Sequence, residues 1–404
     1  MYEVAKTALQ GRFTLLPIED VFYGQQAIRD LGSRLAEANV ERALLVTGKT
    51  LANKTDLVGQ VLAAANGRIA GVYTDTQQHV HRESVLGGLN QARNLNADGI
   101  VSFGGGTPND TGKAILMGLA EGIEHVDDFD RYRVKFEYPD HIEIPVLSGE
   151  TLPMFAVSTT LSGGEFTHFA GVTDSVRKVK DLYIDKKLAA KAVFLDADLT
   201  IATPEWLWLS TGMRSVDHCI EAICSTTSHP FTDALAARSL NMLNRYLREC
   251  KANPEDMVAR TQAHVAAWMS VCGLANVGLG LSHGIGHQLG ARNDVAHGVT
   301  SCVMMYPTMN FNRDYVGDRQ AWLAEIFGHD LAGLSTESAS ELGREAVKNL
   351  VLDLELPSRL RDVGVTKEDF PALAKDALED LIVASNPRPV QSVEDVIDVL
   401  HSAY

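Results

Sequence analysis

The chain has 404 residues, 45% hydrophobic and 22% charged, a globular composition on a length beyond the roughly 250–300 residues that one core usually serves. A net charge of −16 without any basic run excludes an electrostatic footing for nucleic acid or anionic membrane. Five cysteines, at 219, 224, 250, 272 and 302, make neither a C-x-x-C pair nor a disulfide framework, so reduced thiols and a cytoplasmic location are expected.

Residues 1–20 lack a basic segment followed by an apolar core, and no signal peptide is expected there. Apolar, β-branched runs then recur at 43–47, 69–73, 99–103, 154–158 and 192–196, with amphipathic segments between the first three. Strand and helix in alternation predict a parallel sheet covered by helices. The stretch from about 125 to 150, rich in Asp, Tyr and Pro, reads as an irregular excursion.

After Pro204 the patterns are helical: GMRSVDHCIEAICS, DALAARSLNMLNRYLREC and ELGREAVKNLVLDLEL. Between the last two, residues 261–291 contain no Asp, Glu, Lys or Arg, yet hold Asn276, histidines and glycines. Burial within a protein suits that run better than lipid. The expected organisation is an α/β dinucleotide-binding domain over 1–203 and an all-helical domain over 204–404.

Gly104, Gly105 and Gly106 follow one predicted strand and precede a predicted helix, with Thr107 as the expected N-cap and Pro108 at the first helical position. Glycines admit a pyrophosphate close to the backbone, and a helix start offers it free N–H groups. The spacing to Gly112 and Lys113, with Ala114 after them, excludes a P-loop, and the run does not fit G-x-G-x-x-G.

Two histidine clusters carry the chemistry: Gly212-Met-Arg-Ser-Val-Asp-His218, and His283-Gly-Ile-Gly-His287 followed by His297. Positions four apart share a helix face, so Arg214 and Glu221 flank His218 while Asp217 is expected to point elsewhere. Gathered imidazoles mark a site, and they suit a divalent transition metal. Arg214, one turn before His218, stands where such a metal would want a carboxylate.

These pieces, with GGGTPNDTGKAI at 104–115, STTLSGGEFT at 158–167 and AVFLDADLTIATP at 192–204, resemble the iron-containing (group III) alcohol dehydrogenase family over nearly the whole chain. The resemblance implies a dehydroquinate synthase-like architecture, an α/β domain with parallel sheet plus an all-α domain, and a cleft between them. It also suggests a homodimer. The family's metal ligands, an aspartate and three histidines, fall on Arg214, His218, His283 and His297, and His287 matches a histidine near the nicotinamide.

The helix G-M-R-S-V-D-H, QQHVHRE at 77–83 and TTLSGGEFT are similar to the maleylacetate reductase branch, which works without metal. Cofactor contacts carried over by motif are Gly104, Gly105, Gly106 and Asp110 at the pyrophosphate, and Thr159, Thr160 and Ser162 near adenine and nicotinamide. Where the family often has an aspartate that favours NADH, this chain has Gly48 and Lys49, so NADPH is admissible beside NADH.

The expected activity is NAD(P)H-dependent, metal-independent reduction of a small unsaturated or oxo carboxylic acid. Arg214 would stabilise an oxyanion or clamp the carboxylate, and one of His218, His283 and His297 would deliver the proton. The alternative is an iron- or zinc-dependent alcohol or aldehyde dehydrogenase that uses His218, His283 and His297 as ligands.

Overall fold

A computed structural model describes residues 12–138 and 140–404, so the absence of a leader expected from residues 1–20 falls largely outside it. All five apolar runs of the first half form strands: β2 (Ala43–Thr47), β3 (Ile69–Tyr73), β4 (Gly99–Gly104), β7 (Met154–Ser158) and β10 (Ala192–Asp196). Apart from β3 they are buried at every position, as expected of parallel strands covered on both faces. A sixth strand, β1 (Asp20–Gly24), joins at the edge, giving a parallel sheet of order β1-β10-β7-β4-β2-β3.

Helices α1 (Leu31–Glu37), α2 (Lys49–Lys54), α3 (Leu57–Ala64), α4 (Arg82–Asn94) and α5 (Gly106–Ala120) connect these strands. Two clusters of buried apolar side chains, one around Leu45 and Phe155 and one around Leu44 and Ile115, fill the two sides of the sheet. The excursion contains a small hairpin of β5 (Lys135–Glu137) and β6 (His141–Glu143).

A longer hairpin, β8 (Phe169–Asp174) and β9 (Val179–Ile184), follows β7 and was not foreseen. Arg82 ties it to α4, lying 2.6 Å from Asp181, 2.7 Å from Asp130 and 3.2 Å from Asp174. The QQHVHRE segment thus serves as a latch: the backbone carbonyls of His79 and Val80 also accept hydrogen bonds from Thr173.

From Glu205 onward the described elements are helical: α6 (Glu205–Cys224), α7 (Pro230–Ala252), α8 (Met257–Val271), α9 (Leu281–Asn293), α10 (His297–Ile326), α11 (Thr336–Asp353), α12 (Phe370–Leu378) and α13 (Val393–Ser402), with short 3-10 turns. The uncharged run lies in α8, a 3-10 turn (Leu274–Asn276) and α9, and the chain bends by 104° between Asn276 and Leu281. Among the described residues no single helix is long and apolar enough to cross a membrane.

Candidate active site

The C-terminal ends of β2, β4 and β7 lie side by side, with Thr47 registered on Phe103 and Gly104 on Ser158. Ligands of open parallel sheets bind in the crevice beyond such ends, and the sequence-predicted cofactor residues converge there. Gly104 sits at φ +138°, where a β-carbon would be strained and 2.9 Å from Pro108 Cγ. One added at Gly105 would lie 2.9 Å from Thr160 Cγ2, so the glycine turn and the 158–162 loop are in close approach.

Helix α5 begins at Gly106 with Gly105 as N-cap and no side-chain cap, which corrects the expectation that Thr107 caps it. The first-turn N–H groups are therefore left without a side-chain acceptor, as a phosphate cradle requires. The 158–162 loop is pinned from both sides: Thr159 N–H donates to the Gly104 carbonyl, and Thr203 and Ser215 hydroxyls donate to the carbonyls of Thr159 and Leu161. Thr160 and Ser162 hydroxyls are 3.2 Å apart.

Asp110 accepts from Gly171 N–H at 3.2 Å, which turns part of its carboxylate toward β8. Gly48 forms a bridge with Asp75, and Lys49 pairs with the Asp75 carboxylate at 2.6 Å. A carboxylate therefore does stand beside the β2 turn, supplied from the next strand's loop and paired with Lys49.

Helix α6 is buried from Trp208 through Ile220, so its polar residues must find partners inside. Arg214 is 4% exposed, and its guanidinium donates to Ser301 Oγ at 3.1 Å and lies 3.7 Å from Asp217 Oδ2. It points inward, toward α9 and α10. Asp217 does not turn away, as expected from its place beside His218: being three residues after Arg214, it shares that face. Its Oδ2 accepts from Ser282 and Ser301 hydroxyls at 2.8 and 2.7 Å.

His218 and His283 face each other with ring centroids 5.0 Å apart, and His287 stacks on His297 at 5.4 Å. His283 Nδ1 lies 2.7 Å from Glu221 Oε2 and 3.4 Å from Asp217 Oδ2, but neither contact has the angle of a hydrogen bond. His287 Nδ1 is 2.7 Å from Asp380 Oδ2, which also accepts from Gln288 at 3.3 Å.

Burial, joined by the Arg214 charge, holds His218, His283 and His297 well below the usual imidazole range, so all three are neutral near pH 7. Burial also pushes Arg214 down to about 10, which leaves it charged. Lys180, on β9, is lowered by burial and faces Asp110, Arg214 and Asp380. Neutral imidazoles around a fixed cation are poor proton donors; of the four sequence-predicted histidines, His287 is the one with a carboxylate partner in hydrogen-bond geometry.

Glu221, Asp380 and Lys180 were not named as site residues from sequence. Glu221 had a signal, its place on the His218 face, and it accepts from the N–H groups of Gly280 and Ser282. Burial raises it to about 7 from 4.5. The folded state then holds this proton more tightly than the unfolded state, so stability falls as pH rises from about 4.5 to 7, by about 3 kcal/mol from this group. Urea unfolding in EDTA at stepped pH measures the slope, and Glu221→Gln should flatten it; an unchanged slope refutes the assignment.

Comparison with known proteins identifies the family and the fold. Residues 19–197 match the model for iron-containing alcohol dehydrogenase, and 208–404 match that for the C-terminal part of the Fe-containing alcohol dehydrogenase family. The chain is 34% identical over 385 residues to an NAD-dependent methanol dehydrogenase of Bacillus methanolicus, covering 94% of this chain and 97% of that protein. The crystal structure of a 1,3-propanediol oxidoreductase superposes with a TM-score of 0.89 at 29% identity, covering 98% of this chain and 100% of that one. A maleylacetate reductase from Agrobacterium tumefaciens gives a TM-score of 0.77 at 22% identity over 98% of this chain and 99% of that one, a likeness of fold alone.

Proposed function

The chain belongs to the iron-containing alcohol dehydrogenase family, and from that premise we propose that it is an NAD-dependent oxidoreductase interconverting a small alcohol and its carbonyl compound, with Arg214 as the fixed positive charge of the site. The single observation that carries this reading is the guanidinium buried among neutral imidazoles. The names of the similar proteins, methanol dehydrogenase and 1,3-propanediol oxidoreductase, support alcohol and carbonyl chemistry.

NADH supplies the hydride when bound. The chain's residues do the rest: the glycine turn and the start of α5 hold the pyrophosphate, and the 158–162 loop, braced on α6, sets the distance to the histidines. Arg214 faces the oxygen on which negative charge collects as hydride arrives, and a preorganised donor there needs no reorganisation. His287, oriented by Asp380, moves the proton. The Asp75 carboxylate beside Gly48, the counter-ion of Lys49, offers an acceptor for the ribose hydroxyls of NADH.

Iron or zinc is implied by the family, but the residues in its ligand positions do not fit. Three imidazoles are present, and His218 Nδ1 and His283 Nε2 have no hydrogen-bond partner, yet the fourth corner is a guanidinium. A divalent ion about 5 Å from it would be repelled by about 7 kcal/mol at an effective dielectric of about 20.

A second reading, reduction of an unsaturated or oxo acid as in the maleylacetate reductase branch, is favoured by the same Arg214, whose planar fork can also hold a carboxylate bidentately. Steady-state assays separate the two readings. Small aldehydes and alcohols on one side and oxo and unsaturated acids on the other are assayed with NADH and NADPH before and after chelation. Chelator-resistant turnover of aldehydes with NADH as the better cofactor is expected. Preference for the acids moves the substrate to the second reading, and turnover strictly requiring added iron or zinc at the histidines refutes the role given to Arg214.

A further inference from the structure

We propose that Asp217, Glu221 and Nδ1 of His283 form a position for a divalent first-row transition-metal ion, distinct from the family's three-histidine ligand corner. One atom from each residue, two carboxylate oxygens and a ring nitrogen, comes within 4.8 Å of the other two. Of the His283 Nδ1 contacts, 3.4 Å to Asp217 matches the tetrahedral ligand spacing around an ion whose N and O bonds are about 2.0–2.2 Å long, while 2.7 Å to Glu221 is shorter, so that carboxylate has to draw back by about half an ångström to share the ion. Mixed imidazole and carboxylate ligation suits zinc, iron or cobalt.

Two further observations point to a ligand there. Asp217 is fully buried, and while its Oδ2 is satisfied by two serines, its Oδ1 has no partner. His283 Nδ1, in ion-pair contact with Glu221 and Asp217, likewise makes no hydrogen bond. Buried polar atoms are almost always paired, so a cluster of such orphans calls for an unseen partner.

Space exists on the same side. A cavity of about 20 Å³, enough for one water, is lined by Asp217, Glu221, Gly280, Thr308, Asn312 and Asn386. A water there lies beside both carboxylates. Ser282 and Ser301 hydroxyls, with the N–H groups of Gly280 and Ser282, already orient the two carboxylates in the way that outer partners orient metal ligands.

The Arg214 charge that weighs against an ion at the His218 corner weighs less here, because Asp217 stands between and a second carboxylate is added. An ion on Nδ1 also puts the ring proton on Nε2, making His283 a hydrogen-bond donor. The proposal goes beyond the functional reading above and does not depend on which substrate is used.

The test uses the full chain, stripped of metal by chelator and dialysis, titrated with Co2+ and followed by visible absorption and thermal shift. Folded wild type should bind one Co2+. Asp217→Asn and Glu221→Gln, each checked for native circular dichroism, should weaken binding at least about tenfold, whereas His218→Ala and His297→Ala should retain it. Absence of Co2+ binding by folded wild type overturns the proposal. Loss of binding in His218→Ala and His297→Ala, with both carboxylate variants unaffected, overturns it too, because the ion would then occupy the family's corner. Activity is not the readout, so a failed carbonyl assay and a failed metal titration remain distinguishable.

Discussion

Replacing Arg214 by alanine should lower kcat/KM for the carbonyl substrate by roughly 10²–10³-fold, the scale on which losing one preorganised donor to a developing oxyanion is felt. KM for NADH should stay within about twofold, since the cofactor residues lie on another part of the cleft. Arg214→Lys keeps a charge but loses the planar fork and reach to Ser301, so it should fall between. Arg214→Asp rebuilds the carboxylate of the family's ligand set beside His218, His283 and His297, and its turnover should depend on added iron or zinc. Steady-state kinetics on metal-stripped protein read all three. Wild-type turnover by the alanine variant would show that the guanidinium is a packing element.

The strands that carry the cofactor crevice were legible because β2, β4, β7 and β10 are buried on both faces, so their apolar runs stand out without any alternation to decode. Strand β1 is half exposed at the edge, and β8 and β9 carry aspartates and lysines whose burial is explained by partners such as Arg82, which the sequence does not place beside them. Helix α10 shows no clean apolar stripe because it is buried on most sides and contains Pro307 and a break at Val316.

The histidines were legible as a cluster by number and spacing, and Arg214 by its departure from a family motif. Asp217 was misread because its offset was taken from His218 alone; its offset of three from Arg214 places it on the ion-pairing face. Asp380 has no local signal at all. It is an N-cap for the turn at Leu381–Ser385, and only the packing of that turn against α9 brings it to His287. Polar partners supplied by distant segments are thus the part of the site that periodicity does not reveal.

Lys113→Met should cost about 3 kcal/mol of folding stability, because the lysine is fully buried and acts as a tie bar. From α5 its ammonium donates to the Gly164 carbonyl at 2.6 Å, Thr167 Oγ1 at 2.7 Å and the Phe169 carbonyl at 3.1 Å. Methionine preserves the length of the side chain and leaves these acceptors without that donor. Against this loss stands relief of the desolvated charge, which burial expresses by lowering Lys113 to about 8. The unfolded chain holds that proton more tightly than the folded one, so wild-type stability gains from this group as pH rises from about 8 to 10.5, the reverse of the Glu221 slope. The variant lacks that gain. Since the tied segment continues directly from the 158–162 loop, KM for NADH should rise as well. Urea midpoints at stepped pH and the NADH KM measure both effects, and a variant as stable as wild type would show that the three acceptors find other donors.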